Sequence, residues 1–547
     1  MSDPVASSSR PATVAFVVDG APVEVPDDGS SLLVALRDHL GIRSAKDGCS
    51  PQGQCGCCTV LVDGAPRVAC VTPVRRVAGR VITTVDGLDA EDRSRWAGAF
   101  LATGASQCGF CTPGIVCRLE GLRAKGTSVD DHAAVDRALA AHLCRCTGWQ
   151  TIGEAWAVAA SGASGAASAL EADRDLEAAG RRATIEGGVS QHVGADVVLG
   201  RAGFADDTAP AGALLAVPDG EGGWALGESL TEARAAAGKV QGRHGTVEPR
   251  PPLELPGGDW ALTLRTSWVE PAYLETDAAW CEPGGEPVGP LGNGGAFGGK
   301  TNSIVVAAAR ELADRHGRPV RVLLSREDTV RLGAKRPPIA AGVRPDGTGV
   351  VRVVRTEGIA EAIRSVAPGL VVEQVDVPGP PTSTAIRGAG WVEAAVLLAG
   401  LEAHRRSADG VDAHVASVVS PAGGEAEASI GPDGVVRIQL RCGEVLDPVV
   451  LRSYVIGAAH MALGWVTSEG LAVDDDGTVG DLTVRSFGVL RSADMPLVEV
   501  TLHDDDREPV NGSDAVFAAV AAAAWSVLGW PTDWPTGRAL GPGAVPQ

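Results

Sequence analysis

The chain has 547 residues, 45% of them apolar and 21% charged, the make-up of a globular protein with room for roughly two to four domains. Its formal net charge of −21 argues against nucleic acid or an anionic membrane as partner, since both demand basic patches. No uninterrupted apolar run reaches the ~18 residues of a transmembrane helix, so no membrane association is expected. The first ten residues lack an apolar core or twin arginine and read as a tail, not an export signal. Cytoplasmic residence is the expectation, consistent with cysteines serving as metal ligands instead of disulfides.

Residues 12–88 read as a small β-rich domain. Thr13–Val18 is β-prone, Asp19-Gly20 makes a two-residue turn, and Pro22–Val25 returns. Ser30 or Ser31 caps a helix that carries Leu33, Leu36 and Leu40 on one face and stops at Gly41. A glycine-rich loop, 48–56, precedes a second hairpin, Thr59–Val62 and Arg67–Val71 about Asp63-Gly64. Across this region runs the tetrad Cys49-x5-Cys55-x2-Cys58-x11-Cys70. Closing the second hairpin brings Cys70 beside Cys58, which explains why so distant a ligand belongs to the same site. Zinc tetrads commonly come as two CxxC pairs. This spacing instead resembles that of plant-type ferredoxins, with a loop that wraps a cluster and a remote fourth ligand.

Residues 89–160 switch to helical signals. Thr112-Pro113 opens a helix with Ile115, Leu119 and Leu122 on one stripe. Ser128-x-x-Asp131 opens another that carries Val135, Leu139 and Leu143 and stops at Cys144. The second tetrad, Cys108-x2-Cys111 and Cys144-x-Cys146, then gathers at one end of a helical bundle. Alone its spacing leaves zinc open beside iron–sulfur. Cys57, Cys117, Cys281 and Cys442 fit neither tetrad and read as small buried residues. Residues 161–185 have linker composition.

Residues 186–547 mix strands, at Val320–Leu324, Val350–Val354 and Val435–Leu440, with helices at Ile304–His316 and Asp514–Leu528, ended by Gly317 and Gly529. The fold class expected for the whole is α+β, without internal repeats.

Gly48-Cys49, Gly53-Gln54-Cys55-Gly56-Cys57-Cys58-Thr59-Val60, Gln107-Cys108-Gly109-Phe110-Cys111-Thr112-Pro113-Gly114 and Cys144-Arg145-Cys146-Thr147-Gly148 together resemble the iron–sulfur part of the xanthine dehydrogenase/aldehyde oxidase molybdenum hydroxylases. The resemblance covers nearly all of 12–160. It implies a β-grasp ferredoxin-like domain, a helical-bundle domain and one [2Fe–2S] cluster in each. It also implies that Gln107 hydrogen-bonds the pterin of a molybdenum cofactor beside the second cluster.

The rest resembles the molybdopterin-binding part of the same family, with large gaps. Leu199–Pro210 is similar to the stretch with which that part begins, and Val269-Glu270 to Glu275 to the approach to the active site. Gly294-Gly295-Ala296-Phe297-Gly298-Gly299-Lys300 is similar to the loop whose phenylalanine and following glycine (here Phe297 and Gly298) approach molybdenum. Thr384–Gly390 is similar to the family's arginine loop near the cofactor, which marks Arg387, and Asp447-Pro448 to Glu469 to a later structural segment. The catalytic base implied is Glu508, in Arg507-Glu508-Pro509 before a helix at Phe517–Leu528, although the charged run Asp504–Arg507 also suits a solvated turn. Three departures stand out. Only a short Pro/Gly-rich segment separates Glu275 from Gly294, the region between Arg387 and Asp447 lacks a cofactor loop, and Thr301 replaces an acidic residue.

Two functions follow from the resemblance. One is a hydroxylase that passes electrons from an aldehyde or N-heterocycle through two [2Fe–2S] clusters to a flavoprotein or other acceptor. The other is an electron-transfer or interaction subunit whose shortened domain lacks molybdenum and which docks on a flavin subunit or full-length molybdenum subunit.

Overall fold

The computed structural model describes residues 12–49, 51–161, 174–238, 240–245, 248–289, 295–408 and 414–540. The amino-terminal tail, residues 162–173 of the expected linker and Gly294 lie outside the described residues.

The first domain is a five-stranded mixed sheet. Strands β1 (Thr13–Val18), β2 (Ala21–Pro26), β3 (Thr59–Val62), β4 (Ala65–Val68) and β5 (Val81–Thr83) lie in the order β2-β1-β5-β3-β4. Both expected hairpins form: Asp19-Gly20 and Asp63-Gly64 turn with positive φ at each residue, the conformation that two-residue hairpin loops require. Ser31 Oγ accepts from Val34 N at 3.3 Å to start a helical turn at Leu32–Val34, which widens into a π-helical turn at Ala35–His39.

The second domain packs four helices, Ala90–Thr103, Thr112–Arg123, His132–Leu139 and Gln150–Ala160. Trp96 and Trp156 stack at their centre, ring centroids 6.4 Å apart, and Trp96 Nε1 donates to buried Glu120 at 2.9 Å. The third helix ends at Leu139, short of the Leu143 expected from its stripe. Beyond it the backbone is used elsewhere: Leu143 N donates to Cys55 O at 3.0 Å, tying this turn to the loop of the first domain.

The stretch read as linker is not one where it is described. Arg174 pairs with Asp447 at 2.6 Å, and Asp175 caps a helix, Leu176–Gly187, closed by Gly188 at φ 72°. Its inward face is made of Ala179, Arg182, Ala183 and Glu186. Small and charged residues in that role leave no apolar stripe to read.

The carboxy-terminal part holds three sheets. The first runs Trp224–Gly227, Leu214–Pro218, Val320–Leu323, Ala278–Cys281. The second runs Leu370–Val375, Gly349–Val354, Ile339–Val343, Leu262–Thr266, Asp533–Trp534. The third runs Val415–Val419, Glu425–Ile430, Val436–Arg441, Val498–His503. The helices Trp391–Ala408, Pro448–Thr467 and Ser513–Val527 form the middle, and one apolar core runs from them into both amino-terminal domains. Pro448–Thr467 is long and apolar enough to cross a bilayer, but 89% of its apolar window is buried inside the protein. The fold is α+β, as expected.

Candidate functional site

The loop 48–58 folds its sulfurs inward because glycines let it. Gly53 and Gly56 take φ of 70° and 73°, and a Cβ on Gly48 would come within 3.1 Å of Cys55 Sγ. Cys49, Cys55, Cys58 and Cys70 are all buried. Cys49 hydrogen-bonds with the thiols of Cys55 and Cys70 and accepts from the backbone N–H groups of Gln54 and Cys55. Cys70 also contacts Cys58, whose sulfur accepts from Cys70 N at 3.4 Å. Cys49 is thereby held well below the ordinary thiol range, chiefly by its hydrogen bonds from Cys55 and Cys70, and those two are pushed up.

The second quartet repeats this arrangement. Cys108 Sγ lies 3.5 Å from Cys146 Sγ, Cys111 contacts Cys144, and Cys144 contacts Cys146. The hydroxyl of Thr147 is 3.1 Å from Cys144 Sγ. A disulfide is excluded at that Cys108–Cys146 separation, since bonded sulfurs sit ~2.05 Å apart. Eight crowded thiols buried in two groups suit deprotonation onto a cation. Among the described residues, no three His, Cys, Asp or Glu side chains converge on one point as a single ion requires. The sulfurs run instead in a chain of contacts, Cys55–Cys49–Cys70–Cys58 in the first quartet and Cys108–Cys146–Cys144–Cys111 in the second.

The two quartets share a wall. A Cβ on Gly114, in the first turn after Cys111, would come within 2.4 Å of Gly56 O and 2.7 Å of Cys57 O. His142 packs against Gly56, with Nε2 3.2 Å from Thr59 Oγ1. Burial, then Arg118, pushes that imidazole down to about 3, so it stays neutral. Cys57, Cys117, Cys281 and Cys442 join neither quartet; all are buried, and Cys442 faces Arg182 at 3.5 Å.

Behind the second quartet lies the carboxy-terminal part. Arg145, between Cys144 and Cys146, forks onto Glu469 at 2.5 and 2.7 Å and donates to Pro271 O at 2.9 Å. Gln107 spends its amide N–H groups on Cys146 O (3.0 Å) and Ser453 Oγ (2.9 Å), which leaves a buried Oε1 without a partner. Phe297, Gly298 and Arg387 lie together. Arg387 N donates to Phe297 O at 3.0 Å, and its guanidinium lies 4.1 Å from the Phe297 ring centroid. A Cβ on Gly298 would meet Ala385 O at 1.8 Å, so only glycine fits there. Arg387 also binds Asp514 at 2.8 Å and Ser513 at 3.1 Å, and its Nη2 is buried without a partner.

These groups face a cavity of about 410 Å³ that Lys300, Asn511 and Glu186 also line. Glu508 is not part of it. That residue is exposed on the 504–512 loop, where its carbonyl covers Gly443, because the charged run before it keeps the turn in solvent. The buried carboxylate of the cavity is Glu186, at the end of the Leu176–Gly187 helix. It accepts from Gly512 N at 3.1 Å and Ser513 N at 2.9 Å, where the Ser513–Val527 helix begins. Burial pushes its carboxyl up, against the downward pull of Arg182 3.6 Å away and of those donors. Sequence reasoning missed Glu186. The one available signal, an arginine four residues before it, looks the same on any exposed helix.

A pterin does not fit where the resemblance would have it. Between Gln107 and Phe297 the gap is bounded by Cys108, Cys146, Gly295, Tyr454 and two residues of the unexpected segment, Gly187 and Gln191. It leaves no room for a water molecule.

Two family profiles match the amino-terminal region: a 2Fe-2S iron-sulfur cluster binding domain over residues 16–75 and a [2Fe-2S] binding domain over 84–157. Isoquinoline 1-oxidoreductase subunit alpha of Brevundimonas diminuta is 36% identical over 142 residues, which are 25% of this chain and 91% of that subunit. The xanthine dehydrogenase iron-sulfur-binding subunit of Escherichia coli O157:H7 is 35% identical over 146 residues, 26% of this chain and 91% of that subunit. In structure, the aldehyde oxidoreductase of Desulfovibrio desulfuricans superposes with a TM-score of 0.69, covering 94% of this chain and 97% of that one at 14% identity. That likeness concerns the fold alone.

Proposed function

Because the chain belongs to the xanthine dehydrogenase/aldehyde oxidase family of molybdenum hydroxylases, we propose that it is an electron-transfer protein, with two [2Fe–2S] clusters and no molybdenum of its own. Cys49, Cys55, Cys58 and Cys70 hold one cluster, and Cys108, Cys111, Cys144 and Cys146 the other. Each cluster supplies storage and transfer of one electron. The residues around them do the rest. Backbone N–H groups and Thr147 stabilise the anionic sulfurs, the Gly56–Gly114 contact holds the two loops together, and neutral His142 adds no charge between them.

The observation that carries this reading is the narrow gap between Gln107 and Phe297, walled by Tyr454, Gly187 and Gln191, with no room for a water molecule. It favours a relay over the hydroxylase that the resemblance also allowed. The two sequence relatives named above are subunits, which supports a partner here too: a flavoprotein or a full-length molybdenum subunit. The units proposed are 12–88, 89–160 and a shortened molybdopterin-binding-like domain that begins with the Leu176–Gly187 helix, working in the cytoplasm.

Metal and pterin analysis of anaerobically purified protein tests this. About four irons per chain are expected, two for each cluster, with neither molybdenum nor pterin. One molybdenum per chain, with its pterin, would return the chain to the hydroxylases.

A further inference from the structure

A crevice among the described residues lies away from the second quartet, against the loop of the first. Its volume is about 480 Å³, within the range of small-molecule sites. Asp47 and Pro51, two residues before and two after Cys49, form part of its wall. Adjacent Cα atoms are 3.8 Å apart, so this wall lies within about 8 Å of the Cys49 Cα. The opposite walls come from the carboxy-terminal part, through Leu230 and Leu323, and from Leu33 and Val34 of the first domain. Exposed Asp38, Pro51 and Gly238 mark the mouth.

Three properties define what the crevice would take. Its apolar walls exclude strongly hydrated ions. Its remaining donors, the Thr276 hydroxyl and the part of the Arg321 guanidinium not bound to Asp206, suit a carbonyl oxygen. Its charge disfavours anions: five lining carboxylates, Asp38, Asp47, Asp206, Glu327 and Asp328, outnumber the three lining arginines, Arg37, Arg234 and Arg321, and Asp206 binds both Arg37 (2.6 Å) and Arg321 (2.5 Å). A phosphate-bearing flavin or nucleotide is therefore a poor occupant, and a neutral flat ring with carbonyls a good one.

We propose that this crevice binds a quinone-class acceptor, which takes electrons from the first cluster. The proposal rests on the relay reading. A quinone accepts two electrons, with two protons from solvent, to give the hydroquinone. Two reduced clusters hold two electrons, one each, so one chain reduces one quinone.

The test uses the cluster-loaded full chain, reduced anaerobically with dithionite, desalted, and mixed with menadione while cluster absorbance is followed. The rate should saturate with menadione, and one menadione should reoxidise one chain. Leu230→Trp and Val34→Phe, which fill the crevice from opposite walls, should each raise the half-saturating concentration at least about tenfold, equivalent to ~1.4 kcal/mol. A rate that rises linearly with menadione and ignores both variants would overturn the site, as would saturation by flavin mononucleotide in place of menadione. Ferricyanide, a hydrated anion, reports on the clusters separately. If it fails to reoxidise the reduced chain, the relay reading falls. Equilibrium dialysis of menadione against wild type and Leu230→Trp then still decides the site: binding lost in the variant supports it, and equal or absent binding rejects it.

Discussion

The amino-terminal 150 residues match relatives in sequence, whereas the remainder shares with the aldehyde oxidoreductase only its fold. In the first region eight cysteines gather in two buried quartets, with glycines that let the loops turn and backbone donors to sulfur. In the second, Phe297, Gly298 and Arg387 meet beside an open cavity, and only the narrow gap between Phe297 and Gln107 is walled in part by Gly187 and Gln191, from a segment outside the resemblance. Metal ligation tolerates no displacement of a sulfur, whereas a pocket wall can be rebuilt by any segment that satisfies its polar atoms. Glu186 does so for two N–H groups at the start of the Ser513–Val527 helix.

The comparison breaks first at the clusters. Cys108→Ser should remove the second cluster and about half of the iron, and leave the visible spectrum of the first. Loss of all iron in that variant would mean that the two domains do not fold as separate sites. Next comes the joint between the regions. Arg145→Ala strands the Glu469 carboxylate inside the protein and should cost about 3–5 kcal/mol in denaturant unfolding. A much smaller loss would mean that the regions barely hold each other.

A finer probe is pH. The Glu186 carboxyl is raised in the folded state, so its protonated form favours folding. Its contribution is complete below the ordinary glutamate range and is lost as pH rises through the higher folded value. Unfolding midpoints of wild type relative to Glu186→Gln should therefore fall across that window, and a flat difference would contradict the burial. Smallest of all, Glu508→Gln alters an exposed side chain and should shift stability by no more than ~0.5 kcal/mol. It should leave iron content untouched.

How much was legible in the sequence follows from how local each feature is. The first quartet spans 22 residues, Cys49 to Cys70, and its ligands are joined by a hairpin whose turn residues announce it. The cavity draws on positions 186, 297, 387 and 514, and no spacing rule links them. Glu508 was attractive because a Glu-Pro pair precedes a helix, but nothing local tells whether such a turn faces a cavity or solvent. The Leu176–Gly187 helix escaped notice because alanines and a buried ion pair replace the usual leucine stripe.

The seal around Cys146 has a consequence for biogenesis. Gly295 leaves no space for even a methyl group beside its sulfur, since a Cβ there would come within 2.7 Å. A Cβ on Gly457 would press within 1.7 Å of its carbonyl. An assembly scaffold delivering iron has no path to that thiol once the halves have met. Loading must come before closure, so chains starved of iron during synthesis should accumulate in an open, protease-sensitive form.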